Sequence, residues 1–140
     1  MKYVCDASGR NTWFRIETDV EATQESLLMN HAVEKHFRRQ QDAAARSFKP
    51  ATSVFIEQNI GLTSHIQREM PLFLTLRDQD GNAQATAMLP PGGKYDPDFQ
   101  IIIVGANNRD PYPEHEDAIR ALGKHYGLSL DRERCYPYRR

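Results

Sequence analysis

The chain has 140 residues, of which 39% are hydrophobic and 26% charged, and its 18 basic and 19 acidic residues leave a net charge of −1. This length predicts one globular domain over residues 1–140, with 128–140 as a partly ordered C-terminal tail. The near-neutral charge provides no overall field for nucleic acid or an anionic membrane. Because no apolar run is long enough to cross a bilayer and the N-terminus lacks a signal-peptide core, we expect a cytoplasmic protein.

The two cysteines, Cys5 and Cys135, lie near opposite ends of the chain. Two cysteines without a secretion signal are typical of reduced thiols. No catalytic motif surrounds Cys5, so we interpret it as a half-buried strand residue.

The first segment predicts a pair of strands, residues 2–6 and 12–17, joined by turn residues. Phe14 and Ile16 then point to one face of the sheet and Trp13 to the other, wetter face. We expect Trp13 to lie under a loop or terminus rather than to act as an exposed anchor.

The second segment predicts helices. Thr18 and Glu21 fit a capping box, and apolar residues at intervals of three and four then indicate a helix of about two dozen residues, which could hide a break near Gln40. Residues 51–70 have mixed signals for strand and helix. We favour a helix interrupted at Gly61 and ended by Pro71.

A β-hairpin follows at 72–77 and 83–89, with Asp80 and Gly81 as the predicted turn centre. This register gives one face composed only of leucine and alanine, and one mixed face. The predicted pairs are Leu72 with Leu89, Phe73 with Met88, Leu74 with Ala87, Thr75 with Thr86, Leu76 with Ala85, and Arg77 with Gln84.

The stretch from Asp98 to Gly127 has the clearest pattern in the chain. Residues 101–104 form an unbroken aliphatic run, which predicts a strand covered on both faces and central in its sheet. A polar loop follows, and Pro113 marks the start of a helix that ends at Gly127. The predicted fold is therefore α+β, with a mostly antiparallel sheet of about five strands in the order ββ, helices, βββ, α, and helices packed mainly on one face.

The polar loop is the main candidate for a binding site, because loops at strand ends often present functional side chains on a rigid scaffold. Asn107, Asn108, Arg109 and Asp110 are suited to hydrogen-bonding a polar ligand, with His115 as a nearby acid or base. The same residues are also ordinary turn formers, which is the competing interpretation.

Three other patterns carry weaker signals. His31 and Glu34 have helical spacing suited to a metal, but no further ligand motif supports one, and we predict no metal and no cofactor. The basic residues late in the long helix are typical of a solvated face, which makes nucleic acid an improbable partner; they are Lys35, Arg38, Arg39, Arg46 and Lys49. The segment 90–94 resembles a phosphate loop only superficially, since it lacks the Walker spacing.

These observations favour a non-catalytic binding or protein-interaction module with an unknown protein or a small polar ligand as partner. A homodimer would form through the sheet edge or the long helix. The main alternative is a small enzyme or ligand-sensing domain that uses the loop Asn107 to Asp110 and the start of the next helix. Nucleic-acid binding through the basic helix end is the lesser alternative.

Overall fold

The computed structural model describes residues 1–135, which form an α+β fold with five strands and five helices. The strands are β1 (Lys2–Asp6), β2 (Thr12–Arg15), β3 (Leu72–Arg77), β4 (Ala83–Leu89) and β5 (Ile102–Val104). The helices are α1 (Asp19–Met29), α2 (Val33–Arg46), α3 (Phe55–Glu69), α4 (Tyr112–Tyr126) and the short α5 (Arg132–Cys135). The predicted fold class and element order are confirmed.

The sheet is an antiparallel meander with strand order β1-β2-β3-β4-β5. The prediction that the aliphatic run is central was therefore wrong, because β5 is an edge strand. Ile103 is fully buried on the α4 side, whereas Ile101 and Ile102 are half-buried. Burial of both faces at an edge gives the same continuous hydrophobic pattern as burial in the middle of a sheet.

Helices cover both faces of the sheet, three of them on one side. On the α4 side the core includes Trp13, the leucines of β3 and the buried residues of α4. On the other side Ile16 and Phe73 pack against α1 and α2, and the rings of Phe37 and Phe73 meet edge to face at 5.2 Å. Trp13 is fully buried, and its Nε1–H donates to the Ala118 carbonyl of α4 at 2.8 Å.

The predicted long helix is two helices, α1 and α2, and the break lies at Asn30 rather than near Gln40. Asn30 adopts the left-handed conformation (φ 51°, ψ 58°), which asparagine tolerates better than most residues. The break folds α2 back along α1, and the Arg38 guanidinium donates to the Thr23 hydroxyl at 2.9 Å. The capping box of Thr18 and Glu21 is confirmed.

Two further local predictions were wrong in detail. Helix α3 is continuous. Gly61 remains helical and packs against the Phe48 ring, so it does not break the helix as predicted. In the hairpin the first five predicted pairs are confirmed, but Arg77 pairs with Ala83 and not with Gln84. The shift occurs because the strands are joined by a five-residue loop, 78–82, rather than by a two-residue turn. In this loop the Asp78 amide donates to the Asn82 carbonyl at 3.0 Å.

The C-terminal segment is tied to the core as far as the structure describes it. Leu130 and Cys135 are buried, and the Tyr112 hydroxyl donates to the Leu130 carbonyl at 2.9 Å. The remainder of the predicted tail, 136–140, lies outside the described residues. Cys5 and Cys135 are both free thiols, and no helix within residues 1–135 is long and apolar enough to cross a membrane.

Candidate functional site

A cleft lies where the turn between α1 and α2 approaches β4 and β5, on the side of the sheet opposite α4. Its volume is about 130 Å³, close to the roughly 150 Å³ of an apolar cavity that admits benzene. The cleft is lined by His31, Ala32, Val33, His36, Phe73, Thr86, Ala87, Met88, Ile102, Val104 and Asn108.

The walls are largely apolar, and four polar side chains enter them: His31, His36, Thr86 and Asn108. Among residues 1–135, none of the side chains lining the cleft is an acid, a lysine or an arginine. A ligand with a full charge would therefore lose its hydration without gaining an opposite charge inside the cleft. The lining suits an uncharged molecule with an apolar body and a small number of hydrogen-bonding atoms.

A hydrogen-bonded chain of buried side chains supports the cleft from beneath. Glu25 is fully buried, its Oε1 accepts from Arg77 Nη2 at 2.8 Å, and its Oε2 accepts from the Thr86 hydroxyl at 2.5 Å. Arg77 Nε donates in turn to the Thr75 hydroxyl at 3.0 Å. The buried carboxylate is thus matched by a guanidinium, which is the condition for burying either charge.

The same chain fixes the tautomer of His31. Because the paired carboxylate can only accept, the single Thr86 hydroxyl proton points to Glu25. His31 Nε2, 2.8 Å from the Thr86 oxygen, must then carry a proton and donate it, while Nδ1 accepts from the Val33 amide at 3.4 Å. Burial lowers the pKa of His31 below its usual range, and the Glu25 carboxylate opposes that shift.

The local sequence explains how the cleft is built. The left-handed Asn30 ends α1 and places His31 against β4, and α2 begins two residues later. The start of α2 is held by a side chain of α1, because the Ser26 hydroxyl accepts from the Glu34 amide at 3.0 Å. On the other side, Asn107 and Asn108 both have positive φ and turn the chain after β5.

The structure brings part of the predicted site to this cleft. Asn108 lines it, and Asn107 lies beside it, where its Oδ1 accepts from Asn30 Nδ2 at 2.5 Å. Arg109 is exposed and contributes its carbonyl to close the loop, accepting from the Gly105 amide at 2.8 Å. Arg109 is not among the residues that line the cleft.

The other predicted residues lie elsewhere. Asp110 accepts from the Tyr112 amide at 3.0 Å and from Arg132 Nε at 2.6 Å, an arrangement that fixes the start of α4. His115 lies in the first part of α4, 3.9 Å from the Glu114 carboxylate, and burial lowers its pKa while Glu114 opposes the shift. Neither side chain lines the cleft.

The two weak metal candidates, His31 and Glu34, have different surroundings in the structure. His31 lines the cleft, whereas Glu34 is placed by its backbone contact with Ser26. Within residues 1–135, no three histidine, cysteine, aspartate or glutamate side chains come together as a metal site. Sequence reasoning missed Thr86, which occupies the mixed face of a predicted strand, and Glu25, whose partners are 52 and 61 residues away.

The chain was compared with known protein families, with characterised proteins and with solved structures, and none of the three comparisons gave a match. The cleft and its supporting hydrogen bonds are therefore the basis for assigning a function.

Proposed function

We propose that the protein is a non-catalytic binding module that takes up a small uncharged molecule, about the size of one aromatic ring, in the cleft between the α1–α2 turn and β5. The observation that carries the proposal is the hydrogen-bonded chain from His31 through Thr86 to Glu25 and Arg77. It fixes the polar wall of an otherwise apolar cleft, and such prepared surfaces are typical of ligand sites.

The direction of the hydrogen bonds supports binding rather than nucleophilic catalysis. A hydroxyl nucleophile is activated when a base accepts its proton, as in the serine–histidine pair. Here the His31 ring donates to the Thr86 oxygen, and the Thr86 proton is held by a carboxylate already paired with Arg77. The chain therefore stabilises a fixed geometry.

The remaining polar groups define how the ligand would be oriented. His36, which is exposed, and Asn108 both line the cleft, and both side chains are of a polar type that can form hydrogen bonds. An amide, a hydroxyl or the edge of a neutral heteroaromatic ring is complementary to such groups. The apolar part of the ligand would lie among Val33, Met88 and Ile102.

A thermal-shift screen of small neutral aromatic compounds, with carboxylate and phosphate analogues of the same rings, tests this proposal. We expect neutral compounds to raise the melting temperature and their charged analogues to have little effect. Ala32→Phe, which places a ring at the cleft, should abolish the shift. Ala43→Phe, at an exposed position of α2 away from the cleft, is the matched control and should retain it. Equal responses in both variants would contradict the proposal.

A further inference from the structure

Helix α3 has an apolar surface that the rest of the described chain does not cover. None of its 15 residues is fully buried. Phe55, Ile56 and Ile60 remain 75%, 69% and 64% exposed, and Val54, which precedes the helix, is 51% exposed. Isolated exposed apolar residues are ordinary, but four large ones within seven positions form a patch of the kind that marks an interaction surface.

The packing of α3 explains why this patch is uncovered. Ser47, directly after α2, lies with its hydroxyl 2.8 Å from His65 Nε2, and the Phe48 ring packs on Gly61. The end of α2 is therefore alongside the second half of α3, where Ile66 joins the core. The exposed Phe55, Ile56 and Ile60 all lie in the first turn and a half of α3, before Gly61 and His65.

The outer side of α3 carries an uncharged row with the spacing of a helix–helix contact, in which the first three residues are exposed and the last is half-buried. Ile56, Ile60, Thr63 and Gln67 follow one another at intervals of four, three and four residues, so they lie on one side of the helix. This row is distinct from the side that includes Gly61 and Ile66 and packs inward. A row with this spacing and without charge is suited to another helix, as in antiparallel helical pairs.

We propose that this row binds a second copy of the same helix in an antiparallel arrangement, which would make the protein a weak homodimer. Glu57 flanks the row near the start of α3 and Arg68 flanks it near the end. Only an antiparallel pair brings Glu57 of each copy toward Arg68 of the other, and it also opposes the two helix dipoles. With this pairing the two-fold axis passes between residues 62 and 63, so Ile60 of each copy packs against Thr63 and Gln67 of the other.

The contact area sets the expected strength. A 15-residue helix is about 22 Å long, so one face of it covers less than the roughly 800 Å² per partner of a stable interface. We expect a dimer with a dissociation constant in the micromolar range or weaker, which would be populated only at high protein concentration. This inference is independent of the ligand cleft, because none of the residues in the row lines it.

Sedimentation equilibrium of the full chain over roughly 1 μM to 1 mM tests the proposal. We expect the average mass to rise from monomer toward dimer in the wild type, and Ile60→Glu to hold it at the monomer value. Leu27→Glu, at an even more exposed position on α1, is the matched control and should behave as the wild type. A monomer at every concentration, or equal loss of the dimer in both variants, would overturn the proposal.

A charge exchange then tests the antiparallel arrangement. Glu57→Arg and Arg68→Glu should each weaken the dimer at least several-fold, and the double variant should restore it, because the opposite charges then face each other again. Glu57 and Arg68 are both exposed, so circular dichroism should show the same helix content in all variants. If the double variant is as weak as the single variants, the second copy does not bind in the proposed way.

Discussion

Glu25 is fully buried beneath the cleft and forms an ion pair with Arg77, with 2.8 Å between Glu25 Oε1 and Arg77 Nη2. The two residues come from α1 and β3 and are 52 positions apart in the chain. Their pairing attaches the helical layer to the sheet. It also positions Thr86 and through it His31, so the stability of the fold and the shape of the cleft depend on the same contact.

Removing one member of this pair should be strongly destabilising. Glu25→Ala leaves the Arg77 guanidinium without its buried counter-charge, and we expect the free energy of unfolding to fall by about 3–5 kcal/mol in urea denaturation. Asp42→Ala, at an exposed position of α2, is the control and should change it by less than about 0.5 kcal/mol.

The double variant Glu25→Met with Arg77→Met separates pairing from packing. Because both charges are then removed together, we expect it to be more stable than Glu25→Ala alone. A double variant that loses as much as the sum of the Glu25→Met and Arg77→Met losses would show that the two side chains are not energetically coupled, and it would contradict the pairing.

The low pKa of His31 predicts a specific pH dependence of stability. Burial holds the folded-state pKa below the ordinary value of about 6.5, so the unfolded chain binds more protons as the pH falls. The stabilising effect of the neutral ring is complete above about pH 7 and is lost as the pH falls through 6.5 toward the folded-state pKa.

We therefore expect the free energy of unfolding to decrease between about pH 7.5 and 5, and His31→Gln to reduce this slope. Burial also lowers the pKa of His115, so this residue contributes to the same pH dependence. His115→Gln should therefore reduce the slope further, independently of His31→Gln. The pKa values of the Glu21 and Asp78 carboxyls are also lowered, so the stability that these two groups contribute is lost only at lower pH, from the ordinary carboxyl pKa range downward. A slope unchanged in both histidine variants would contradict the assignment.

Much of the fold follows from the sequence because its signals are local. The capping box at Thr18, the cap at Gly127 and five hairpin pairs each depend on residues close together in the chain, and each is confirmed. The position of β5 could not be predicted in this way. Whether a buried aliphatic strand is central or at an edge depends on which strands pair with it, and the run 101–104 does not carry that information.

The candidate site shows the same division. The polar loop after β5 was predicted to present asparagines, and Asn108 does line the cleft. The other wall was not predictable, because a buried Glu25 in α1 is stable only beside Arg77 and Thr86, which are far away in sequence. In α1 the apolar Leu27 and Leu28 are exposed and the polar Glu25 is buried, which is the reverse of the usual amphipathic pattern.

Gly93 should tolerate a side chain much less well than Gly81. Both have positive φ, which costs a side chain about 1–2 kcal/mol. A Cβ at Gly93 would also lie 2.2 Å from the Tyr126 ring, whereas one at Gly81 meets nothing within 4 Å. We expect Gly93→Ala to be less stable than Gly81→Ala by about a further 1–3 kcal/mol in chemical denaturation. Equal losses would mean that Tyr126 moves aside freely.

The most direct test of the proposed function is an NMR titration of the ¹⁵N-labelled protein with the neutral aromatic compound that gives the largest thermal shift. We expect amide shifts concentrated at Val33, Thr86 and Asn108, saturable with ligand, absent in Ala32→Phe and present in Ala43→Phe. Shifts centred on another surface, or shifts at the cleft that survive in Ala32→Phe, would show that the cleft is not the binding site.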